Sequence, residues 1–395
     1  MATTTPNPTR RHPVAFAVTA ALLWLGMAGA VQGKEPKMKG VGTDKGGAKI
    51  LGRYVAIDNV CAWPNLTMLR DGTIAAIVYN HPSHLQGPGD LQCWASSDGV
   101  GLWEKRGIVA PHGPKTTRGN VAAGLAHNGD LVALASGWGY APNYRTCRLA
   151  PWVCRSTDGG RTWKVDEAEA SLVYPEGLSR DNPKDIPVPF GDIVALADKG
   201  LAAPVYDCSG RVWVLFSRDD GRTWTESALL MDQHGTECAL LRLRADRWLA
   251  ATRAGKGRDG NLPSWGMSLS VSADEGRTWS DPVKLTAPGR YPGSFLRLQG
   301  GRILLTFGMR DIMAVGYRLS ADEGRTWSDT TVLVSLPSWK GLVFDPPYRE
   351  RDLGYPSTVQ LSNGTLITAY YTIGIEQHTR YHMGVVRWRV KAKDE

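Results

Sequence analysis

Six side chains, most of them polar or aromatic, hold equivalent places in the sequence, each nine residues before a tight turn. Every turn lies between two short apolar runs, so the residue before it is expected at the start of a strand. The six positions carry Trp63, Asn120, Gly191 with Asp192 beside it, Glu237, Tyr291 and Tyr355. If six such strands converge on one axis, these side chains share one small space. A set this polar suits ligand binding better than core packing.

Tyr355 and Glu237 are residue types that together can do nucleophilic chemistry. A tyrosine hydroxyl, with an ordinary pKa of about 10, is a poor nucleophile until a carboxylate accepts its proton. Arg253 and Arg310 lie further along the same part of the chain. Their paired N–H donors suit a substrate carboxylate. These four residues predict a site for an anionic substrate.

The elements that position these side chains contain a repeat of the pattern S-x-D-x-G-x-T-W. It occurs at 156–163, 217–224, 272–279 and 320–327, with a degenerate copy at 96–103. In such a turn, Asp accepts backbone N–H groups ahead of it, Gly adopts a positive φ, and Trp packs beneath. The carboxylates of these turns are therefore predicted to be scaffolding: Asp158, Asp219, Asp274 and Asp322.

A second repeat, an apolar strand followed by a polar turn and another apolar strand, predicts six β-hairpins. Their turns are Asp71-Gly72, Asn128-Gly129, Lys199-Gly200, Ala245-Asp246, Gly300-Gly301 and Asn363-Gly364. Four strands per unit of roughly 45 to 60 residues are typical of a propeller blade. The sequence therefore predicts an all-β, six-bladed β-propeller over residues 49–395. Residues 49–57 are expected to supply the outer strand of the last blade and so close the ring.

The first 33 residues read as a signal peptide. Arg10 and Arg11 precede an apolar run from Val14 to Ala30, and small residues up to Gly33 offer a cleavage site. Residues 34–48 then form a linker. We expect the mature chain to be periplasmic or secreted, with no membrane contact after cleavage.

The composition of the chain excludes some partners and cofactors. The formal net charge of +8 is not gathered into a basic run, so no nucleic-acid partner is predicted. The sequence shows no C-x-x-C pair or clustered His/Cys set, and no metal site is expected. Six cysteines lie in the exported part, where Cys147 and Cys154 are close enough in sequence for a small disulfide loop. The oligomeric state is not predicted.

The order of polar residues between the turns resembles that of the sialidase superfamily over residues 50–390. The matching segments are Gly-Thr-Glu237-Cys-Ala-Leu-Leu, Ala-Ala-Thr-Arg253, Gly-Met-Arg310-Asp, and Gly-Tyr355-Pro-Ser-Thr-Val-Gln-Leu-Ser-Asn-Gly. The resemblance implies an exo-acting, retaining glycoside hydrolase that releases a terminal acidic sugar without a cofactor. It implies Tyr355 as the nucleophile, Glu237 as its base, and Arg253 and Arg310 as ligands of the sugar carboxylate.

Two parts of the family pattern are missing. The first-blade arginine is replaced in Ala62-Trp63-Pro64, where the indole of Trp63 is expected to stack on a sugar ring. The usual acid in the first-blade loop has no clear counterpart, and three candidates stay open: His81, His84 and Asp90. The remaining substrate contacts are predicted at Arg118, Asn120, Asp192 and Tyr291.

These departures keep two other functions open. One is a hydrolase or lyase for a different sugar, such as a uronic acid or a rhamnose-capped glycan, with His81 or His84 as base. The other is a propeller that binds carbohydrate without turnover. Because one fold hosts many functions, the fold alone does not choose among them.

Overall fold

A computed structural model describes residues 47–139, 147–255, 266–336, 352–375 and 378–391. The predicted signal peptide and the predicted linker, apart from residues 47 and 48, lie outside the described residues. The described part is almost entirely β-structure, with one 3-10 turn at Glu169–Ser171. None of its helices is long and apolar enough to span a membrane.

The strands of the described residues form six sheets of four or five strands, almost entirely antiparallel, which are the blades of the predicted propeller. Blades 1 and 2 contain β2 (Asn65–Met68), β3 (Ile74–Tyr79), β4 (Leu91–Ser96), β5 (Glu104–Ala110), β6 (Thr116–Leu125), β7 (Leu131–Gly139), β8 (Cys147–Ser156) and β9 (Lys164–Asp166). Blade 3 contains β10 (Val188–Pro189), β12 (Val194–Ala195), β13 (Leu201–Tyr206), β14 (Val212–Ser217) and β15 (Glu226–Met231).

Blades 4 and 5 follow the same order from the inside outward. Their strands are β16 (Gly235–Arg244), β17 (Arg247–Ala254), β18 (Met267–Ser272), β19 (Val283–Lys284), β20 (Arg290–Arg297), β21 (Ile303–Met309), β22 (Ala314–Ser320) and β23 (Thr331–Ser335). Blade 6 contains β24 (Leu353–Gln360), β25 (Leu366–Ile375), β26 (His378–Val390) and, from the start of the described chain, β1 (Ala48–Asp58).

The ring closes where the two ends of the chain meet. β1 pairs antiparallel with β26, from Ala48 opposite Val390 to Asp58 opposite His382. The sixth blade therefore takes its outermost strand from the N-terminal side, as the sequence predicted. Closure leaves no blade interface unpaired, which protects the strand edges of the ring.

Six apolar clusters lie between neighbouring blades. Strands of this kind carry near-continuous apolar runs, because both faces of each sheet pack against another sheet; β3, for example, is buried along its whole length. Three large indoles, those of Trp224, Trp248 and Trp388, are fully buried in these clusters. The packing holds the blades at fixed angles and thereby fixes the inner strands that line the channel.

The Asp-containing turns join the third and fourth strands of blades 1 to 5. In the copy between β18 and β19, Asp274 accepts the Thr278 backbone N–H at 2.8 Å and the Thr278 hydroxyl at 2.6 Å. The Ser272 hydroxyl donates to the same carboxylate at 2.8 Å. Glu275 and Gly276 both have positive φ, 57° and 79°, and the Trp279 indole N–H closes the turn on the Gly276 carbonyl. These aspartates are scaffolding, as predicted.

Cys147 and Cys154 do not form the small disulfide loop that their spacing in the sequence left open. Both residues lie on the single extended strand β8, seven positions apart, and both thiols are free. At about 3.3 Å per residue they are separated by roughly 23 Å, far beyond the roughly 4.4 to 6.8 Å between the Cα atoms of a disulfide. A short sequence separation brings two cysteines together only across a turn, and here the chain runs straight.

Candidate active site

The channel ends of the innermost strands are irregular in a recurring way. Register shifts against the second strand occur at or beside the predicted site positions. They lie between Arg118 and Asn120, Gly235 and Cys238, Arg290 and Gly293, and Gly354 and Ser357. A β-bulge re-aims the side chain at its centre. The bulges thus turn Glu237, Tyr291 and Tyr355 out of the regular strand alternation.

Blade 3 reaches the channel differently. Its innermost strand is broken into β10 and β12, and the residues between them form β11 (Gly191–Asp192), which pairs in parallel with β6 of blade 2. Gly191 has φ 96°, and a Cβ there would lie 2.6 Å from the carbonyl oxygen of Cys238, so only glycine fits. This crossing places Asp192 in the wall of the channel.

Tyr355 and Glu237 meet although 118 residues separate them. The Tyr355 hydroxyl donates to Glu237 Oε1 at 2.6 Å, and both side chains are buried. Tyr355 has φ 50°, a left-handed conformation that is costly for a bulky residue and is often stored at functional sites. The geometry is the one that proton transfer from the phenol to the carboxylate requires.

Arg253 holds the other side of Glu237. Its Nη1 donates to both carboxylate oxygens, at 3.0 and 3.2 Å, and the Thr236 hydroxyl donates to Oε2 at 2.8 Å. Burial would raise the pKa of Glu237, but the Arg253 charge and the hydrogen bonds from Tyr355 and Thr236 lower it to about 2. Burial and the Glu237 charge raise the pKa of Tyr355 well above its usual value. The resting pair is a neutral phenol and an ionised carboxylate.

Arg253 and Arg310 lie over the same aromatic ring. The guanidinium carbons are 4.0 and 5.5 Å from the centroid of the Tyr291 ring. Arg310 is also 5.9 Å from the Tyr355 ring centroid. Tyr291 thus supports two adjacent cations at the edge of the Tyr355–Glu237 pair.

A buried carboxylate that the sequence reasoning missed lies behind Arg310. Asp352, 3% exposed, accepts the hydroxyls of Tyr371 and Tyr381, both at 2.5 Å, and faces His84 Nδ1 at 2.7 Å. Burial opposes its ionisation, but His84, the Arg310 charge and the hydrogen bond from Tyr371 lower the pKa of Asp352 to about 2. In the sequence, only the position of Asp352 three residues before Tyr355 indicated that this carboxylate lies near the site.

The indole of Trp63 packs against Tyr355. The two rings stack at 5.2 Å with an interplanar angle of 18°, and the His84 ring meets the indole edge-on at 4.8 Å. Trp63 is 7% exposed and, like Tyr355, has a positive φ, here 42°. The structure therefore places one indole face on the Tyr355 ring, where the sequence reasoning expected a sugar.

A small cavity of about 30 Å³ lies in the channel beside Tyr355. Trp63, Asn120 and Asp192 line it, and the Asn65 amide donates to Asp192 Oδ1 at 3.0 Å. Burial raises the pKa of Asp192 to about 7, against the opposing effect of the Asn65 hydrogen bond. The cavity is polar enough and large enough to hold about two water molecules.

Comparison with known proteins shows which family the chain belongs to and which solved structures share its fold. Residues 58–368 match the BNR repeat-like domain. The chain belongs to this family. None of the curated proteins matches it. Among solved structures it resembles a Dyadobacter fermentans protein of unknown function, with a TM-score of 0.71 and 20% identity over 87% of this chain and 100% of that one.

The BNR repeat-like chain also shares the fold of sialidases. The Hadza microbial sialidase Hz136 superposes with a TM-score of 0.63 and 18% identity, covering 85% of this chain and 68% of that one. Trypanosoma rangeli sialidase superposes with a TM-score of 0.58 and 15% identity, covering 86% of this chain and 56% of that one. These matches confirm the resemblance expected from the motifs as a likeness of fold.

Three further predicted residues of this BNR member, Asp90, His81 and Arg118, contact other groups. Asp90 is bound by His112 at 2.6 Å, and His81 contacts the Ser83 hydroxyl at 2.8 Å. Burial, with a smaller effect of His112, lowers the pKa of His81. Arg118 lies 3.3 Å above the Trp152 ring and donates to the Ala150 carbonyl, so its guanidinium is engaged inside blade 2.

Asn120 does reach the channel. It lines the cavity and accepts the Trp138 indole N–H at 2.9 Å. Of the first-blade loop candidates, His84 is the one in contact with the Trp63 and Tyr371 rings that border Tyr355. The structure thus brings Tyr355, Glu237, Arg253, Arg310 and Tyr291 together. A second group, Trp63, His84, Tyr371 and Asp352, contacts Tyr355 through the Trp63 and Tyr371 rings.

Proposed function

We propose that this protein is an exported glycoside hydrolase that removes a terminal acidic sugar from a glycan with retention of configuration. The observation that carries the proposal is the 2.6 Å hydrogen bond from Tyr355 to Glu237 beside the two arginines over Tyr291. A neutral phenol can approach an anomeric carbon next to a carboxylate without the repulsion that an Asp or Glu nucleophile would meet. The arginines supply the matching charge for that carboxylate.

In the first step the Tyr355 oxygen attacks the anomeric carbon, its proton passes to Glu237, and the bond to the leaving oxygen breaks. Without substrate, the ion pair with Arg253 keeps the pKa of Glu237 low, and a carboxylate with a low pKa is a weak acceptor for the Tyr355 proton. A substrate carboxylate that shares Arg253 weakens that hold and makes Glu237 a better base. The substrate therefore activates its own nucleophile. In the second step water attacks the anomeric carbon and displaces Tyr355. The water gives a proton to the carboxylate that protonated the leaving oxygen, and Tyr355 recovers its proton from Glu237.

The leaving oxygen needs a proton, and Asp192 is the candidate that the geometry favours. It is the acidic side chain among the residues that line the cavity beside Tyr355, whereas Asp90 is engaged by His112. A pKa of about 7 keeps a large fraction of Asp192 protonated at neutral pH. Asn65 orients the carboxyl. In this assignment Asp192 replaces the acid expected in the first-blade loop.

The proposal is tested by hydrolysis of fluorogenic N-acetylneuraminic acid and glucuronic acid glycosides with the purified mature chain. We expect one of them to release its fluorophore and Tyr355→Phe to abolish the release. Turnover that survives in Tyr355→Phe would reject the nucleophile. Product of inverted configuration, followed by NMR, would reject the retaining mechanism.

A second candidate function rests on the His84 Nδ1 to Asp352 contact at 2.7 Å, which orients the imidazole as in a base dyad. On a uronic-acid glycan such a base could remove the proton next to the carboxylate and eliminate the leaving group. The discriminating observation is an unsaturated product that absorbs in the near ultraviolet and is lost in His84→Gln. Binding without any product would indicate a carbohydrate-binding propeller.

A further inference from the structure

Arg310 is held by a short segment of the chain that also carries Tyr355. Its Nε donates to the Leu353 carbonyl oxygen at 3.1 Å, and its Nη2 donates to the Tyr371 hydroxyl at 3.2 Å. The Tyr371 hydroxyl in turn donates to Asp352 Oδ1 at 2.5 Å. Residues 352 and 353 therefore fix two nitrogens of one guanidinium, and Tyr355 follows two residues later.

The link from Asp352 to Arg310 runs through Tyr371. The direct distance from Arg310 Nη2 to Asp352 Oδ1 is 4.0 Å, too long for a hydrogen bond. A phenol has one proton, and Tyr371 gives it to Asp352, so its oxygen is left to accept from Arg310. Tyr371 lies edge-on to Trp63 at 6.2 Å, and Trp63 stacks on Tyr355. The relay is thus packed between the nucleophile and the buried carboxylate.

We propose that Asp352 is a positioning residue that sets the direction of the Arg310 guanidinium through Tyr371, and thereby sets how firmly the site binds the carboxylate of an acidic sugar. The inference rests on the proposed function. The first-blade position carries Trp63 in place of an arginine, and in the described part of the chain Arg253 and Arg310 are the arginines that lie over Tyr291 beside the Tyr355–Glu237 pair. The fixed direction of Arg310 then replaces part of the affinity that a third cation would supply.

Two tyrosines offer a matched test. Tyr371 and Tyr381 both donate to Asp352 at 2.5 Å, both are fully buried, and Tyr371 is the one that Arg310 contacts. Tyr371→Phe removes the relay, whereas Tyr381→Phe removes an equal hydrogen bond on the other carboxylate oxygen. Free N-acetylneuraminic acid and glucuronic acid serve as probes, with binding measured by calorimetry and KM and kcat measured on the fluorogenic glycosides.

We expect Tyr371→Phe to weaken binding of the acidic sugar, and to raise KM, by about tenfold or more, with a smaller change in kcat. Tyr381→Phe should change both by less than about threefold. In an Arg310→Lys background, Tyr371→Phe should have little further effect, because the relay then has no guanidinium to direct. Equal losses in the two tyrosine variants, or additive losses in the double variant, would overturn the proposal.

Asp352→Asn provides a second route if Tyr371→Phe does not fold, since it keeps the shape of the side chain and removes its charge. It should weaken the acidic sugar and leave the binding of a neutral sugar alcohol, used as a control, unaltered. Tyr355→Phe separates the two hypotheses: it should stop turnover but leave the effect of Tyr371→Phe on binding intact. Absence of binding to both acids by the wild type would overturn this inference together with the proposed function. Binding without turnover would overturn the proposed hydrolysis alone.

Discussion

The Asp-containing turns at the outside of the blades differ from the channel ends of the inner strands in the sequence separation of the residues that contact each other. In the turn at 272–279, every hydrogen bond of Asp274 comes from a residue within four positions. At the channel, Tyr355 meets Glu237 across 118 residues. Four of the five turns share Ser, Asp, Gly, Arg, Thr and Trp at the same places, whereas the six channel positions carry five different residue types. Repetition therefore marks scaffold here, and its loss at equivalent positions is what led us to propose a site in the channel.

The largest effect should come from Tyr355→Phe. The variant keeps the ring that stacks on Trp63 and loses the hydroxyl bound to Glu237. We expect kcat to fall by about 10³-fold or more, because the nucleophile is removed. The melting temperature should change little. Steady-state kinetics and thermal unfolding check both parts, and a large loss of stability with unchanged kcat would place Tyr355 with the scaffold.

Arg310→Lys should have the next largest effect. Lysine keeps the charge but cannot donate at once to Leu353, Tyr371 and a substrate carboxylate. KM for an acidic glycoside should rise by roughly 10- to 100-fold, measured by initial rates. Arg325→Lys, an exposed change in an outer turn, is the control and should leave KM unaltered. Equal KM values in the two variants would contradict a role of Arg310 in binding the anion.

Asp274→Ala tests whether the aspartates of the outer turns stabilise the fold without affecting activity. The Thr278 hydroxyl and backbone N–H and the Ser272 hydroxyl outweigh burial and lower the pKa of Asp274 to about 2, so the folded turn favours the ionised carboxylate. Its loss should reduce the free energy of unfolding by about 1 to 2 kcal/mol, measured with urea, while kcat/KM stays the same. Asp281→Ala, an exposed carboxylate on the same blade, should change neither quantity.

The smallest expected effect concerns Asp192 and pH. Its pKa is raised from the usual value near 3.8 to about 7 in the folded chain, so the folded state binds more protons than the unfolded state between those values. Stability from this group is therefore present at low pH and is lost as pH rises toward about 7. Melting temperatures between pH 5 and 8 should decline less steeply in Asp192→Asn than in the wild type. Parallel curves would contradict burial of this carboxyl.

The sequence was sufficient for most of the fold. The turns, the six hairpins and the shared β1–β26 blade follow from local signals: positive-φ glycines, Asp acceptors and apolar runs of strand length. The same registration found Glu237 and Tyr355, because an equivalent position in each blade must face the same channel. The pairing of Cys147 and Cys154 stayed open in the sequence for a related reason, since sequence proximity does not show whether the chain turns or runs straight.

The tertiary structure decided which of the gathered residues touch. Arg253 holds Glu237, Trp63 covers the Tyr355 ring, and Arg118 lies on Trp152 inside blade 2. The hydrogen-bonded link between Asp352 and Arg310 runs through Tyr371, a residue of another strand. The sequence by itself determined the turns and the number of blades, because each is built from hydrogen bonds and apolar contacts a few residues apart. The partners within the channel depend on β-bulges and on closure of the ring, which bring together residues that are more than a hundred positions apart.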